Sequence, residues 1–308
     1  MENNLVKDVL LIDRGFSVKV RIDFKNMTFT RLQDKLSAKI ERVDGNVFYL
    51  AGINPEIKNA VAFDDKFAII AKVDAHNLVY AQPMGIWTMP KHKTIFFEVA
   101  KNACTSIVSE IYRSNWKKWW SPDVTEEFTV WNAMNWKNSY FKHRMMLSVT
   151  EYAEKKEQYK DHMKFLVYDE PLKRFIRMLN NKYIKHHTIA SSVQPPYDKN
   201  INDYVDKVIL ATQLDVLNSH FWDQHLAPIT LNGKDFLDDI TYFVHLKDLN
   251  SFMKDKFDIE MNRYNAMPLS KKVVTEEILL PRQIEKIKEI YKEDYALTEK
   301  YQDKFYKA

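Results

Sequence analysis

Thr94-Ile95-Phe96-Phe97-Glu98-Val99-Ala100-Lys101-Asn102-Ala103-Cys104-Thr105-Ser106 is the stretch on which the reading of this chain turns. Its apolar start makes a buried strand, and the small and hydroxyl residues around a single lysine make a short loop. Ile107, Val108, Ile111 and Tyr112 then recur at helical spacing. A strand, loop and helix in this order build an anion site. The unpaired N–H groups of the first helical turn point at the ligand, and the helix dipole favours its charge. Lys101 adds a mobile cation, while Thr105 and Ser106 add hydroxyl donors. The paired glycines and the Gly-Lys-Ser/Thr ending of the nucleotide-triphosphate loop are absent, which disfavours a kinase. Taken alone, the stretch also suits an ordinary strand-to-helix turn.

The rest of the composition sets bounds. At 308 residues, 45% of them hydrophobic, with 18 Phe, 16 Tyr and 7 Trp, the chain can bury one large domain or a main domain with an appendage. No apolar run reaches the roughly 18 residues of a membrane span, so no transmembrane segment is expected. Met1-Glu2-Asn3-Asn4 lacks the basic and apolar regions of a signal peptide. One cysteine excludes an internal disulfide framework and a multi-cysteine metal site, and the expected compartment is the cytoplasm. The net charge of +4 is mild. It fits an anionic small ligand or an acidic polymer, whereas a nucleic-acid binder would be more basic and more clustered.

Residues 1 to 88 read as a small β-rich subdomain and residues 89–308 as the main α/β domain. Leu5–Ile12, Phe16–Phe24, Val47–Ala51, Phe67–Val73 and Leu78–Ala81 are short β-branched and aromatic runs, and Asp44-Gly45-Asn46 is a hairpin turn. Val18-Lys19-Val20-Arg21-Ile22-Asp23-Phe24 alternates as a half-exposed strand does. This region carries no catalytic constellation. Packing or partner contact is its expected duty, with glycan binding as the alternative. Pro83 to His92 reads as a junction.

Between residues 114 and 146 lie Trp116-Lys117-Lys118-Trp119-Trp120, Trp131, Trp136, Tyr140, Phe141, Lys142, His143 and Arg144. Such aromatic faces with basic neighbours can stack on sugars or form a core flanked by snorkelling lysines. Met163-Lys164-Phe165-Leu166-Val167-Tyr168 is a second buried strand, and Pro171 suits the first turn of the helix after it. On that helix Phe175, Met178, Leu179 and Tyr183 face the core. Arg174, Arg177 and Asn181 share another face, as a second candidate anion site or as a solvated face. His186 to Lys199 is a polar loop and Asn202 to Leu217 a helix. Ile240–Leu246 is strand-like, and one amphipathic helix begins near Pro281.

Two strand-loop-helix anion sites about 70 residues apart give the chain a likeness to a known family. It resembles the carbohydrate sulfotransferases that include the chondroitin 4-O and heparan 2-O enzymes. Their first loop reads roughly Pro-Lys-x-Ala-Cys/Ser-Thr and stands here as Ala100-Lys101-Asn102-Ala103-Cys104-Thr105. Their second reads roughly Val-Arg-Asp-Pro-x-x-Arg-Phe-x-Ser and stands here as Tyr168-Asp169-Glu170-Pro171-Leu172-Lys173-Arg174-Phe175-Ile176-Arg177. His220-Phe221-Trp222-Asp223-Gln224 resembles a third element, and Tyr291-Lys292-Glu293-Asp294-Tyr295 the C-terminal Tyr-x-x-Asp-Tyr signature. The likeness covers residues 94–300. It departs at Ala100 and Asp223, where the family has proline, at Asp169, where it has arginine, and at Arg177, where it has serine.

The resemblance implies an α/β fold with a P-loop-like parallel sheet flanked by helices. It implies sulfuryl transfer from PAPS (3′-phosphoadenosine-5′-phosphosulfate) to a carbohydrate or glycoconjugate hydroxyl, leaving 3′,5′-ADP, with no metal required. Lys101, Asn102, Ala103, Cys104, Thr105 and Ser106 would hold the 5′ phosphosulfate, and Arg174 and Arg177 the 3′ phosphate. Lys101 would neutralise the leaving group. His143 is the expected base, since some relatives place theirs in this region and Lys142 and Arg144 favour its neutral form. Glu98 and His220 are alternatives. A non-enzymatic relative that binds glycan or nucleotide is the rival reading, favoured by Asp169.

Overall fold

The structure, a computed structural model, describes residues 6–13, 16–51, 57–74, 85–99, 102–104, 106–108, 110, 146–180, 200–218, 227–230, 236–261 and 274–308. Its helices include α1 (Val149–Glu154), α2 (Pro171–Met178), α3 (Ile201–Asn218), α4 (Leu249–Phe257), α5 (Pro281–Ile290) and α6 (Lys292–Lys300). Leu78–Ala81, the aromatic and basic run from Trp116 to Arg144, and the His186–Lys199 loop lie outside the described residues.

Alternation builds the N-terminal strands. In β2 (Phe16–Asp23) Val20 and Ile22 are buried while Lys19 and Arg21 are exposed. With β1 (Val6–Asp13), β3 (Thr28–Arg31), β4 (Ser37–Asp44), β5 (Val47–Leu50), β6 (Ile57–Phe63) and β7 (Phe67–Asp74) it forms a closed barrel. Consecutive strands pair antiparallel. An odd number of strands in such a meander leaves the first and last pointing the same way. β1 and β7 accordingly close the barrel in parallel, with Leu10 opposite Phe67 and Ile12 opposite Ile69. The interior is packed, and the rings of Phe24, Phe29, Phe48 and Phe63 meet at centroid distances of 5.3–6.3 Å. Pairing of Asp44 with Val47 makes the Gly45-Asn46 hairpin, with Gly45 at φ 58°.

The chain forms two compact units. The barrel belongs to one, drawn from Met1–Gln82, Met178–Ala227 and Val273–Ile290. Here α3 buries Tyr204, Val205, Val208 and Ile209. The α5 helix is tied to it by a two-bond Arg282–Asp206 pair at 2.7 Å and by Gln283 Nε2, which donates to the Asn202 carbonyl at 2.9 Å.

The other unit comprises Pro83–Arg177, Pro228–Lys272 and Tyr291–Ala308. Its sheet has the order β10-β8-β9-β11-β12, from β8 (Ile86–Met89), β9 (Thr94–Phe97), β10 (Met146–Leu147), β11 (Met163–Tyr168) and β12 (Tyr242–His245). β9, β11 and β12 run parallel, but β8 and β10 pair antiparallel at one side. The expected parallel sheet is therefore mixed. The expected Pro83–His92 junction also contains a fully buried strand, Ile86–Met89, which a Pro- and Gly-flanked run of four residues did not announce. Both faces are covered, so the strands read as continuous apolar runs. Ile95, Phe97, Leu166, Tyr168 and Phe243 pack in one layer with Tyr152, Leu297 and Tyr301. Phe96, Phe165, Val167 and Val244 pack in the other with Ile107, Val108, Phe252 and Met253. The single C-terminal helix expected from the sequence is two, α5 and α6, separated at Tyr291.

The hairpin supplies a local test. Nothing lies within 4 Å of a Cβ built on Gly45, so only its positive φ resists substitution. Gly45→Ala should cost about 1 kcal/mol in urea unfolding, and Gly45→Asn clearly less, because asparagine tolerates the left-handed region. Equal cost for both would show that backbone strain is not the constraint.

Candidate active site

Parallel pairing creates the site. Phe96 lies opposite Phe165 and Phe97 opposite Leu166, so β9 and β11 both end at the same edge of the sheet. The loop after β9 and the loop before α2 leave from that edge, which is where open α/β sheets bind ligands.

The first loop turns at once. Asn102 N–H donates to the Val99 carbonyl at 3.1 Å, and Ala103 takes the left-handed conformation, φ 61°. That conformation costs roughly 1 kcal/mol in a residue with a Cβ. Two contacts hold it. The buried Asn102 amide donates to the Val167 carbonyl of β11 at 2.7 Å, and Ile107 N–H donates to the Ala103 carbonyl at 3.0 Å, opening the next helix. The Cys104 thiol is half-buried and lies 3.6 Å from the Val99 carbonyl, and Ser106 is buried. The Asn102 side-chain N–H and the Cys104 thiol are thus each turned to a backbone carbonyl of the sheet or loop. Lys101, Thr105 and His143 lie outside the described residues, as do His220 and the rest of its motif.

Glu98, just before the loop, accepts a hydrogen bond from Trp87 Nε1 at 2.7 Å, and its N–H donates to the Gly85 carbonyl at 2.8 Å. A Cβ at Gly85 would overlap Glu98 Oε2 and crowd Trp87 Nε1, so a side chain there would displace the Glu98 carboxylate from its bond with Trp87.

The second loop is organised by a carboxylate that the sequence reading treated only as part of a signature. Asp294, on α6, is completely buried. It accepts hydrogen bonds from the Ile229 and Thr230 N–H groups, at 2.8 and 2.9 Å, from the Thr230 hydroxyl at 2.8 Å and from Arg174 Nη2 at 3.2 Å. Burial pushes the Asp294 carboxyl up, and Arg174 and the three other donors pull against it. Tyr295 adds a cap. Its hydroxyl accepts the Leu172 N–H at 3.2 Å, so one of the free amides at the start of α2 is already used. Tyr291 packs its ring on Phe175 and under the Arg174 guanidinium, 5.4 Å from its centroid.

Arg174 and Arg177 therefore part company. Arg174 is 2% exposed and locked to Asp294. Arg177 retains 41% exposure and lies in direct contact with Asp169, the residue where the related motif has arginine. Burial on its inner side lowers the Arg177 guanidinium pKa from its ordinary value. A partly buried histidine, His245, ends β12 at the same edge. Its ring lies 5.5 Å from that of Tyr168 and 4.7 Å from that of Phe305, and burial holds its pKa below the usual imidazole value. Among the described residues, no group of three or more His, Cys, Asp or Glu could hold a metal ion.

A family model described as "Sulfotransferase family" matches residues 84–300, more than half of the chain. The chain belongs to the sulfotransferase family. Comparison with curated proteins and with solved structures gave no match.

The Asp294 cluster should be among the most costly places to mutate. Asp294→Ala leaves the Arg174 charge and three further donors buried without an acceptor, and should destabilise the protein by about 3–5 kcal/mol. Tyr295→Phe should cost about 1–2 kcal/mol. Denaturant titration checks both, and a similar small loss for the two would contradict the buried-charge account.

The pH dependence has a defined sign. His92, His162 and His245 all have folded-state pKa values lowered, mainly by burial. Below about pH 6.5 the unfolded chain binds protons that the folded one resists, so these groups make stability fall as pH drops through the window beneath that value. The imidazole resonances of these three histidines should titrate below about 6.5 in the folded protein. A His245 midpoint above it would contradict the burial argument.

Proposed function

We propose that the chain transfers a sulfuryl group from PAPS to a hydroxyl of a carbohydrate or glycoconjugate acceptor and releases 3′,5′-ADP. Sulfuryl transfer in general rests on family membership. The donor and acceptor are our reading, and a cytoplasmic location belongs to it. The observation that carries it is the strained turn after β9, anchored by Asn102 to β11 and opening directly into a helix, beside the loop that leads into α2.

Reactions of this kind leave the protein mainly positioning and charge stabilisation to perform. The S–O bond to the 5′ phosphate breaks as a new one forms to the acceptor oxygen, and the hydroxyl proton passes to a base. We assign the leaving-group charge to Lys101, assisted by loop N–H groups, Thr105 and Ser106. The proton goes to His143, with Glu98 as the alternative beside the loop. Of the two α2 arginines, Arg177 is the one with solvent-facing surface that could meet a 3′ phosphate.

One observation favours a second reading, a relative that binds nucleotide or glycan without catalysis: both arginines of α2 are already paired with aspartates. Sulfate transfer from PAPS to a panel of saccharides separates the two. Lys101→Ala should lower transfer by at least about 100-fold while the protein stays folded. Unchanged transfer would remove Lys101 from the mechanism. Calorimetry should show Arg177→Ala weakening 3′,5′-ADP far more than 5′-AMP, and an equal loss would refute its 3′-phosphate role.

A further inference from the structure

The cations of α2 are Lys173, Arg174 and Arg177, and each faces a carboxylate. Lys173 Nζ lies 3.0 Å from Glu170, Arg174 Nη2 lies 3.2 Å from Asp294, and Arg177 touches Asp169. The helix that would receive a 3′ phosphate is charge-balanced. Arg174 cannot be recruited, because its partner is fully buried and held by three other donors. Arg177 can, because a guanidinium has donors on more than one edge and this one is partly exposed. Asp169 is 7% exposed and stays beside it. A 3′ phosphate reaching Arg177 therefore also meets a fixed negative charge, and attraction and repulsion largely cancel. A free ribose 3′-hydroxyl meets no such repulsion and can donate to a carboxylate.

We infer that Asp169 is a specificity-determining residue that removes most of the donor's dependence on the 3′ phosphate. A nucleoside 5′-phosphosulfate with a free 3′-hydroxyl is then accepted about as well as PAPS. This rests on the PAPS reading of the site. The residue acts through Arg177, and a merely structural role would not change the ratio of two nucleotide affinities.

The test is calorimetry of 5′-AMP and 3′,5′-ADP with the full chain, in the wild type and in Asp169→Asn, with folding checked by circular dichroism. The wild type should bind the two within a few-fold of each other. Asp169→Asn should raise the preference for 3′,5′-ADP about tenfold, as expected for removing one nearby like charge. If the asparagine variant does not fold, Asp169→Ser is read in the same way. An unchanged or reduced preference in a folded variant that binds both nucleotides overturns the inference and leaves the PAPS reading standing. A strong wild-type preference for 3′,5′-ADP overturns it too. Binding of neither nucleotide to the wild type or the variant removes the PAPS reading and this inference with it.

Discussion

The sheet unit depends on one buried carboxylate. Asp294 joins three segments distant in sequence: α6, on which it sits, the backbone at Ile229 and Thr230, and Arg174 on α2. An ion pair taken out of water gains little net stability, because desolvation offsets most of the attraction. What it supplies is exclusivity. Moving α2 away from α6 would leave a fully buried carboxylate and a guanidinium without each other, which favours the observed position. Tyr295 and Tyr291 act in the same sense, one on the first turn of α2 and one on its Phe175 and Arg174 side chains.

That constraint bears on chemistry because α2 begins where β11 ends. The Asn102 bond to Val167 ties the first loop to the same strand, so both loops are referenced to β11. The left-handed Ala103 shows a turn held by its surroundings. Two short polar segments with little structure of their own gain a defined geometry from a strand paired on both sides within the sheet.

The C-terminal signature of the family is kept at Tyr291, Asp294 and Tyr295, while its second loop is altered at Asp169 and Arg177. Tyr291, Asp294 and Tyr295 do what packing and hydrogen bonding require of them, while Asp169 puts an acid where the related motif has arginine and Arg177 a cation where it has serine. From sequence, Asp169 stood as a departure from the family's arginine and Arg177 as a candidate 3′-phosphate cation beside Arg174. In the structure they are partners, and helical spacing alone could not say whether Arg177 turns toward solvent or toward Asp169.

Much of the local structure was legible because it depends on short-range patterns. The β1, β2, β5, β7 and β11 strands, the Gly45 turn, the start of α2 at Pro171 and the burial of Phe175, Met178 and Leu179 follow from alternation, turn chemistry and helical periodicity. The family was legible in the order of its motifs. What only the tertiary structure decided involves partners far apart in the chain: closure of the barrel through β1 and β7, the antiparallel β8 beside a parallel core, and the different fates of Arg174 and Arg177. A sequence records which side chains can pair. Which of them do pair depends on strand order and burial, and those are properties of the whole fold.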